Sequence, residues 1–265
     1  MPIDPVSVSP WVACPEQARY QLTLETLVAN WPDLHAGDGE RLPSSEPLRA
    51  GWLLYHNGDF EAAAQAGLLL GAEGTTLTCK ATCIYANYLE PSEARRLTLL
   101  QQVATQARDQ QAITPENANV HYWHAYALGR YSQGISVAKA LSSGLGRTMR
   151  EALQRCLSLE PNHADAHLAL AHYHAEVIDK VGELIGGMTH GARKATGLAL
   201  YDRALELNPN SAITRCEVAQ GWILLEGPRA LERAQQLRES AWPLKAHDAM
   251  EHVYLRAAQA DLQDV

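Results

Sequence analysis

The chain has 265 residues, with 22 Lys and Arg against 30 Asp and Glu, and its formal net charge is -8 at pH 7. This length can bury a sizeable hydrophobic core, and the lack of any basic run or patch argues against a nucleic-acid partner. One Phe beside plentiful Ala, Leu and Gln favours helix over sheet. No apolar run approaches the ~20 residues that a membrane span needs.

The cellular compartment is predicted from the first residues and the cysteines. Residues 1–10 show neither the basic segment nor the apolar segment of a secretory signal. Trp11-Val-Ala-Cys14 has a faint likeness to a lipoprotein cleavage site, but no segment able to enter a membrane precedes it. The five cysteines are an odd number without the spacing of a disulfide framework, which is typical of a reducing compartment. We therefore expect a cytoplasmic protein.

Residues 1–47 are predicted to be an N-terminal extension with one helix. Apolar residues recur at helical spacing from Pro15 to Trp31, and Pro32 should end the helix because the residue before a proline is pushed out of helical geometry. A loop rich in Gly, Pro and Ser follows as far as Pro47.

Residues 48–70 have the pattern of two packed antiparallel helices. Ala50 and Gly51 are predicted to be the small packing positions of the first helix, and Leu54 with Tyr55 its bulky positions. Gly58-Asp59-Phe60 should form the tight turn, and Ala63 the small contact of the second helix.

A helix-ending signal recurs along the rest of the chain. Pro115, Pro161, Pro209 and Pro243 follow apolar helical segments and are 46, 48 and 34 residues apart. Such spacing indicates internal repeats. The predicted units are about 48–75, 75–114, 118–161, 164–209 and 212–243, followed by a capping helix at 246–262.

The two longest units carry inserts at the same place, Gly134–Arg147 and Asp179–Ala192. Both inserts have apolar residues at helical spacing and finish in glycines. We interpret each as an unbroken extension of the unit's first helix, so that a helix over 164–188 would be ~37 Å long. The extensions of adjacent units should then lie side by side, with Val137 near Ile185 and Leu141 near Met188 or Thr189.

Residues 161–174, Pro-Asn-His-Ala-Asp-Ala-His-Leu-Ala-Leu-Ala-His-Tyr-His, are similar to the junction between successive tetratricopeptide repeats. The resemblance covers roughly residues 45–262 and implies an all-α solenoid of antiparallel helix pairs, two of them with extended helices. Residues 122–131, Tyr-Trp-His-Ala-Tyr-Ala-Leu-Gly-Arg-Tyr, with the insert that follows, more distantly resemble the T component associated with TRAP transporters and the regulators of microtubule dynamics. In the transporter-associated members, helical extensions line a pore and the protein partners a substrate-binding subunit.

Tetratricopeptide proteins usually bind partners on the concave surface formed by the first helix of each repeat. The resemblance therefore implies a partner-binding groove of Trp52, Tyr55, His56, Asn119, Tyr122, Tyr126, Arg130, Asp165, His172, Glu176 and Gln220. These side chains can stack, hydrogen-bond and pair with a carboxylate. The family's clamp for chaperone tails uses several Lys, Arg and Asn, whereas this groove has one Arg and one Asn, so that ligand is not predicted.

Histidines and cysteines cluster in ways that could serve chemistry. His121 with His124, and His167 with His174, share helix faces and could contribute to a metal site. We prefer to interpret His121, His167 and His174 as packing residues, because the repeat alignment places them where aromatics normally lie. Cys79 and Cys83 are one helical turn apart and are interpreted as buried small residues rather than a metal or redox pair.

An acid–base cluster could be drawn from Glu176, Asp179 and Glu183 with His172 or His190. No nucleophile motif, phosphate loop or HExxH accompanies these residues, and charged helix faces are usually only solvated. We therefore predict no catalytic residue, no metal ligand and no cofactor.

Three hypotheses for function follow from the sequence. The favoured one is a non-enzymatic scaffold that binds a protein or peptide partner in its concave groove and self-associates through its long helices. The second is a small-molecule carrier or transport accessory whose extended helices enclose an apolar channel. The third is a metal-dependent enzyme that uses the histidine cluster.

Overall fold

The computed structural model describes residues 10–15, 17, 19–135 and 143–263, with side chains described as far as residue 260. Within these residues the regular structure is helical and no strand is formed. The all-α prediction is confirmed. No described helix is both long enough and apolar enough to cross a membrane.

The first half of the described chain forms six α-helices. They are α1 (Leu24–Ala29), α2 (Trp31–Leu34), α3 (Glu46–His56), α4 (Phe60–Leu69), α5 (Thr75–Tyr88) and α6 (Glu93–Gln111), with a 3-10 turn at Gly71–Gly74. The N-terminal extension thus contains two short helices rather than one. Pro32 does not end a helix as predicted but lies in the first turn of α2, where its missing amide hydrogen costs nothing.

The second half continues the pattern of helix pairs. It contains α7 (Ala118–Gln133), α8 (Leu145–Leu159), α9 (Ala164–Val181), α10 (Glu183–His190), α11 (Lys194–Leu207), α12 (Ala212–Glu226), α13 (Leu231–Ala241) and α14 (Ala249–Gln263), with a 3-10 turn at Gly227–Ala230. The pairs that pack together are α3 with α4, α5 with α6, α7 with α8, α9 with α11, and α12 with α13. This arrangement is the predicted solenoid of antiparallel pairs.

The first helix pair, α3 with α4, agrees with some of the predicted packing positions and contradicts others. A Cβ on Gly51 would lie 2.6 Å from Leu77 Cδ2, so the approach of α3 to α5 requires glycine there. Gly58 has φ +90°, as a tight turn needs, and Ala63 is buried. The predictions for Ala50 and Leu54 are wrong: both are exposed, because they lie four residues apart on the outer face of α3.

Three of the four recurring prolines begin the same local structure. The residue two positions after Pro115, Pro161 and Pro209 caps the following helix through its side chain; these caps are Asn117, His163 and Ser211. The residue six positions after each proline hydrogen-bonds the proline carbonyl, through His121 Nε2 at 2.9 Å, His167 Nε2 at 2.9 Å and Arg215 Nε at 3.0 Å. A carbonyl only accepts, so these side chains donate.

These bonds correct the interpretation of the histidines as substitutes for packing aromatics. His121 and His167 hold the turn before the first helix of their units, and Arg215 does the same in the next unit. His174 Nδ1 accepts a hydrogen bond from the Arg193 backbone at 3.1 Å. The three histidines are structural through hydrogen bonds.

The second insert is helical but not continuous with α9. Helix α9 ends at Val181 because Gly182 adopts φ 80° and ψ 156°, a conformation that favours glycine, and α10 begins immediately after it. The prediction of one unbroken helix over 164–188 is therefore wrong. In the first long unit α7 ends at Gln133, and the predicted contacts of Val137 and Leu141 lie outside the described residues.

The C-terminal helix ties the end of the chain to its beginning. Helix α14 packs on α12 and α13, and also on α3 and α5. Tyr55 donates from its hydroxyl to Met250 Sδ at 2.6 Å, and the rings of Tyr88 and Tyr254 meet edge to face with centroids 5.2 Å apart. The capping helix predicted at 246–262 thus covers the first units as well as the last.

A continuous chain of buried polar side chains runs through this junction, and we call it the closure network. It comprises Lys80, Asp38, His35, His56 and Asp248. Lys80 Nζ lies 2.7 Å from Asp38 Oδ2, and Asp38 Oδ1 lies 2.8 Å from His35 Nδ1. The Nε2 atoms of His35 and His56 are 3.2 Å apart, and His56 Nδ1 lies 2.5 Å from Asp248 Oδ2. Each of these side chains is at most 5% exposed.

Burial sets the charge of His35, and neighbouring charges set that of Asp38. Burial lowers the pKa of His35 to about 4, despite the opposing effect of Asp38, so His35 is neutral near pH 7. Burial alone would raise the pKa of Asp38, but Lys80 and then His35 outweigh it and hold that pKa well below its usual range. Asp38 is therefore an ionised carboxylate that depends on Lys80.

Replacing Lys80 with Met should lower the free energy of unfolding by about 3–5 kcal/mol, because it leaves the buried Asp38 carboxylate without its cation. Urea unfolding followed by circular dichroism measures the change. Lys180→Met is the control, since Lys180 is exposed on α9 and should change stability little. Equal destabilisation by the two variants would contradict the role given to Lys80.

Replacing Gly221 with Ala should also destabilise the fold, by about 1–3 kcal/mol, since a Cβ there would lie 2.0 Å from the Tyr201 ring. Gly187→Ala is the matched control within α10, where the nearest neighbour of a new Cβ would be Ala192 O at 3.5 Å. That change should be neutral or stabilise by up to about 1 kcal/mol, because alanine favours helix over glycine. Thermal unfolding of both variants tests the pair, and a Gly221→Ala protein as stable as the parent would show that Tyr201 can move aside.

Candidate functional site

One cavity of about 800 Å³ lies on the side of the solenoid formed by the first helices of the units. Its walls come from α5, α7, α9 and α12, with α8 behind them. Residues 33–38, which are the end of α2 and the loop after it, form one edge, and residues 244–255, which lead into and form the start of α14, form another. We call this space the inner cavity.

Seven of the eleven residues predicted for the groove line the inner cavity. They are Tyr122, Tyr126, Arg130, Asp165, His172, Glu176 and Gln220. They come from α7, α9 and α12, three helices that each begin a unit. The structure therefore brings together the part of the predicted groove that belongs to the middle and last units.

The other four predicted residues do not line the cavity. Trp52, Tyr55 and His56 are at most 1% exposed, beneath α2 and α14. Asn119 is 4% exposed and links Glu40 to His163. The prediction that these four face an open groove is wrong: the N-terminal and C-terminal segments cover the three residues of the first unit, and Asn119 on α7 is buried between Glu40 and His163.

An ion-pair cluster around Glu217 occupies the end of the cavity between α7 and α12. Glu217 Oε1 lies 2.9 Å from Arg130 Nη2, and Glu217 Oε2 lies 2.6 Å from His172 Nε2. His172 Nδ1 is 2.9 Å from the Tyr201 hydroxyl. Burial would raise the pKa of Glu217, but Arg130 and then His172 outweigh it and hold the pKa well below its usual range. Arg130 is thus already neutralised by a carboxylate of the same chain.

Sequence reasoning missed Glu217, Lys80 and Asp38, all of which line the cavity. Glu217 lies three residues before Gln220, so the helical spacing that selected Gln220 could have found it. Lys80 is the sole charged residue in the sequence of α5, which is otherwise neutral and largely buried, and this is a usable signal for a buried ion. Asp38 lies in a loop and gave no such signal.

Asp165 lies in the first turn of α9 and faces the loop over 33–38. Its backbone amide donates to Gly37 O at 2.9 Å, and a Cβ on Gly37 would lie 2.6 Å from Asp165 Oδ1. Burial, and then the charge of Asp38, raise the pKa of Asp165 to about 7, against a smaller opposing effect of Lys80. Among the described residues, no hydrogen bond or ion pair reaches this carboxylate.

The structure brings only some of the groups considered for chemistry together. Cys79 and Cys83 are free and buried, as predicted, and burial raises the pKa of the Cys79 thiol to about 12. Of the acid–base residues considered, His172 and Glu176 line the cavity, whereas Asp179 and Glu183 are exposed and do not. In the described part of the chain, no group of three or more His, Cys, Asp or Glu is arranged to hold a metal ion.

Comparison with known proteins bears on the fold. No protein-family model matches the sequence, and no curated protein matches it significantly. The structure is similar to that of TTC0263, a thermophilic TPR protein of Thermus thermophilus, with 17% identity and a TM-score of 0.56 over 81% of this chain and 97% of that chain.

Two crystal structures of MamA are also similar, each at 13% identity and over 95% of the MamA chain. They cover 81% and 76% of this chain, with TM-scores of 0.38 and 0.42. The narrower resemblance to the TRAP transporter component stays a prediction. The helix pairs described above and the likeness to TTC0263 together show that this chain has the tetratricopeptide-repeat fold.

Proposed function

We propose that the protein is a non-enzymatic scaffold that binds a segment of a protein or peptide partner in the inner cavity. The observation that carries the proposal is the convergence on one cavity of seven of the groove residues that the resemblance to tetratricopeptide proteins implies. First helices of tetratricopeptide repeats form a concave surface suited to an extended chain.

The walls of the cavity suit a peptide side chain. Tyr88, Tyr122, Tyr126 and Tyr254 supply aromatic surface, and Leu168 and Leu224 supply aliphatic surface. Aromatic rings with a polar atom at one edge are favoured in binding surfaces because they combine apolar area with a hydrogen-bonding group. Gln220 and Glu176 add polar groups at which the direction of a bound chain could be fixed.

The chemical state of the cavity supports a binding role rather than catalysis. Glu217 is held by Arg130 and His172, and Asp38 by Lys80, so these groups neutralise one another. A general base or nucleophile needs a partner that tunes it toward reaction. The ion pairs in this cavity instead fix the positions of its walls.

A small-molecule carrier is the second candidate, and the size of the cavity favours it. About 800 Å³ lies within the range of pockets that hold small ligands. The described walls mix aromatic, aliphatic and charged side chains, so the ligand would be amphipathic rather than purely apolar.

Self-association and a cytoplasmic location stay predictions. Leu184, Ile185 and Met188 on α10 are 78%, 56% and 81% exposed, and a contact between copies of the chain would rest on this apolar surface. Sedimentation of the wild type beside Leu184→Asp would measure it.

Filling the inner cavity should weaken partner binding. Short peptides selected from a displayed random library on the immobilised protein serve as the probe, and calorimetry measures their affinity. Ala169 lines the cavity on α9, so Ala169→Trp should weaken binding by about tenfold or more, equivalent to about 1.4 kcal/mol.

Ala94→Trp is the matched control, because Ala94 is exposed on α6 and does not line the cavity. It should leave the affinity unchanged, and both variants should keep the helical signal and melting temperature of the parent. Equal affinity of the selected peptides for the two variants would place the binding site elsewhere. If the library yields no binder, and a small molecule binds the parent but not Ala169→Trp, the results would favour the small-molecule carrier.

A further inference from the structure

The positive side chains inside the cavity are already paired with carboxylates of the same chain. Three Lys or Arg residues line it in the described chain. Lys80 pairs with Asp38 at 2.7 Å, Arg130 pairs with Glu217 at 2.9 Å, and Lys245 is exposed at the rim. An anionic ligand would therefore have to break an internal ion pair before it found a cation inside the cavity.

The negative side chains of the cavity are more numerous than the positive ones. Six carboxylates line it, namely Asp33, Asp38, Asp165, Glu176, Glu217 and Glu251. Asp38 and Glu217 are neutralised within the chain, and Glu176 Oε1 accepts a hydrogen bond from Gln133 Nε2 at 2.8 Å. Asp165 and Glu251 have no cationic partner among the described residues, so their negative charge is unbalanced whenever they are ionised.

Asp165 is half-buried in the first turn of α9. Removing a carboxylate from water without supplying a counter-charge disfavours its ionised form. Burial and the nearby Asp38 have this effect on Asp165, whose pKa rises to about 7. A cation placed beside Asp165 would relieve the cost, because it would supply the counter-charge that the described residues do not.

Tyr122 lines the same cavity as Asp165. Burial, and then the charge of Asp165, raise the pKa of the Tyr122 hydroxyl. Tyr126 and Tyr254 line the cavity with them. The face of a tyrosine ring attracts cations, and Arg130 already lies over Tyr126 with its guanidinium carbon 5.3 Å from the ring centre.

We propose that the inner cavity binds a positively charged group, a primary ammonium or a guanidinium, which pairs with Asp165 beside the tyrosine faces. The inference rests on the proposed scaffold function, in which this group is the side chain of a Lys or Arg in the bound partner segment. It also excludes an acidic tail as the ligand, since the unbalanced carboxylates would repel it.

The first test varies the ligand. Blocked peptides with one central Lys or Arg are compared by calorimetry with copies in which norleucine replaces Lys or citrulline replaces Arg. These copies keep the length of the side chain and lose its charge. The charged peptides should bind at least about tenfold more tightly than their neutral copies.

The second test varies the protein. Asp165→Asn keeps the shape of the side chain and should lower the affinity for the Lys peptide by at least about tenfold. Asp179→Asn removes the same charge from an exposed position on the same helix, outside the cavity, and should have no effect. Melting temperatures of both variants show whether any loss of binding reflects loss of fold.

The pH dependence gives an independent readout. The Lys ammonium stays protonated well above neutrality, so affinity should rise as pH increases through about 7, where Asp165 ionises. Asp165→Asn should remove most of this rise. The charged or titratable groups that face Asp165 or share the cavity wall with it are Asp38, Lys80, Tyr122, Tyr254 and Glu251. Burial also raises the pKa of Glu251 to about 7. Ionisation of Glu251 accounts for any rise in affinity with pH that persists in Asp165→Asn.

Free n-butylammonium has the chemistry of the end of a Lys side chain. It distinguishes a site for a free small cation from a site for the side chain of a bound partner segment. If it binds in an Asp165-dependent manner while no peptide binds, the cation site stands and the scaffold function fails. If charged and neutral peptides bind equally, the scaffold stands and the cation site is overturned. If Asp165→Asn and Asp179→Asn affect binding equally, the site assigned to Asp165 is also overturned.

Discussion

The arrangement of the molecule depends on one buried contact, the closure network that joins α5 to α14 through Lys80, Asp38, His35, His56 and Asp248. A buried charge is tolerated only when it is paired and hydrogen-bonded. Each member of the network therefore needs the next one, and the members come from distant parts of the chain. This mutual requirement holds the N-terminal loop and the C-terminal helix against the first unit.

The inner cavity is a consequence of the same contact. Helix α14 and the loop over 33–38 form two of its edges, and the network fixes both. Lys80 is paired with a carboxylate within the network, and Arg130 is paired with Glu217 in the cluster around that residue. The charge left in the cavity is therefore set by the ion pairs that build its walls, and in the described part of the chain Asp165 has no counter-charge.

The sequence predicted the features that depend on near neighbours along the chain. The prolines marked the turns, Gly58 and Ala63 marked the first pair, and the resemblance to tetratricopeptide repeats implied groove residues of which seven converge. Features that depend on distant contacts were missed. His56 was predicted to face a ligand, but its partner Asp248 lies 192 residues away, and no local periodicity shows such a contact. A single backbone conformation at Gly182 ended the helix that periodicity had extended.

The bond between His56 and Asp248 has a consequence for how the repeat number can change in evolution. Open solenoids add or lose a unit readily, because each unit contacts only its neighbours and the ends are free. Here the last helix must reach the first unit at a fixed distance and angle. Duplicating or deleting one internal unit would move α14 away from α3 and leave the buried side chains of His56 and Asp248 without each other as partners. The chain is thus confined to its present number of units, and variation is expected in its loops and side chains instead.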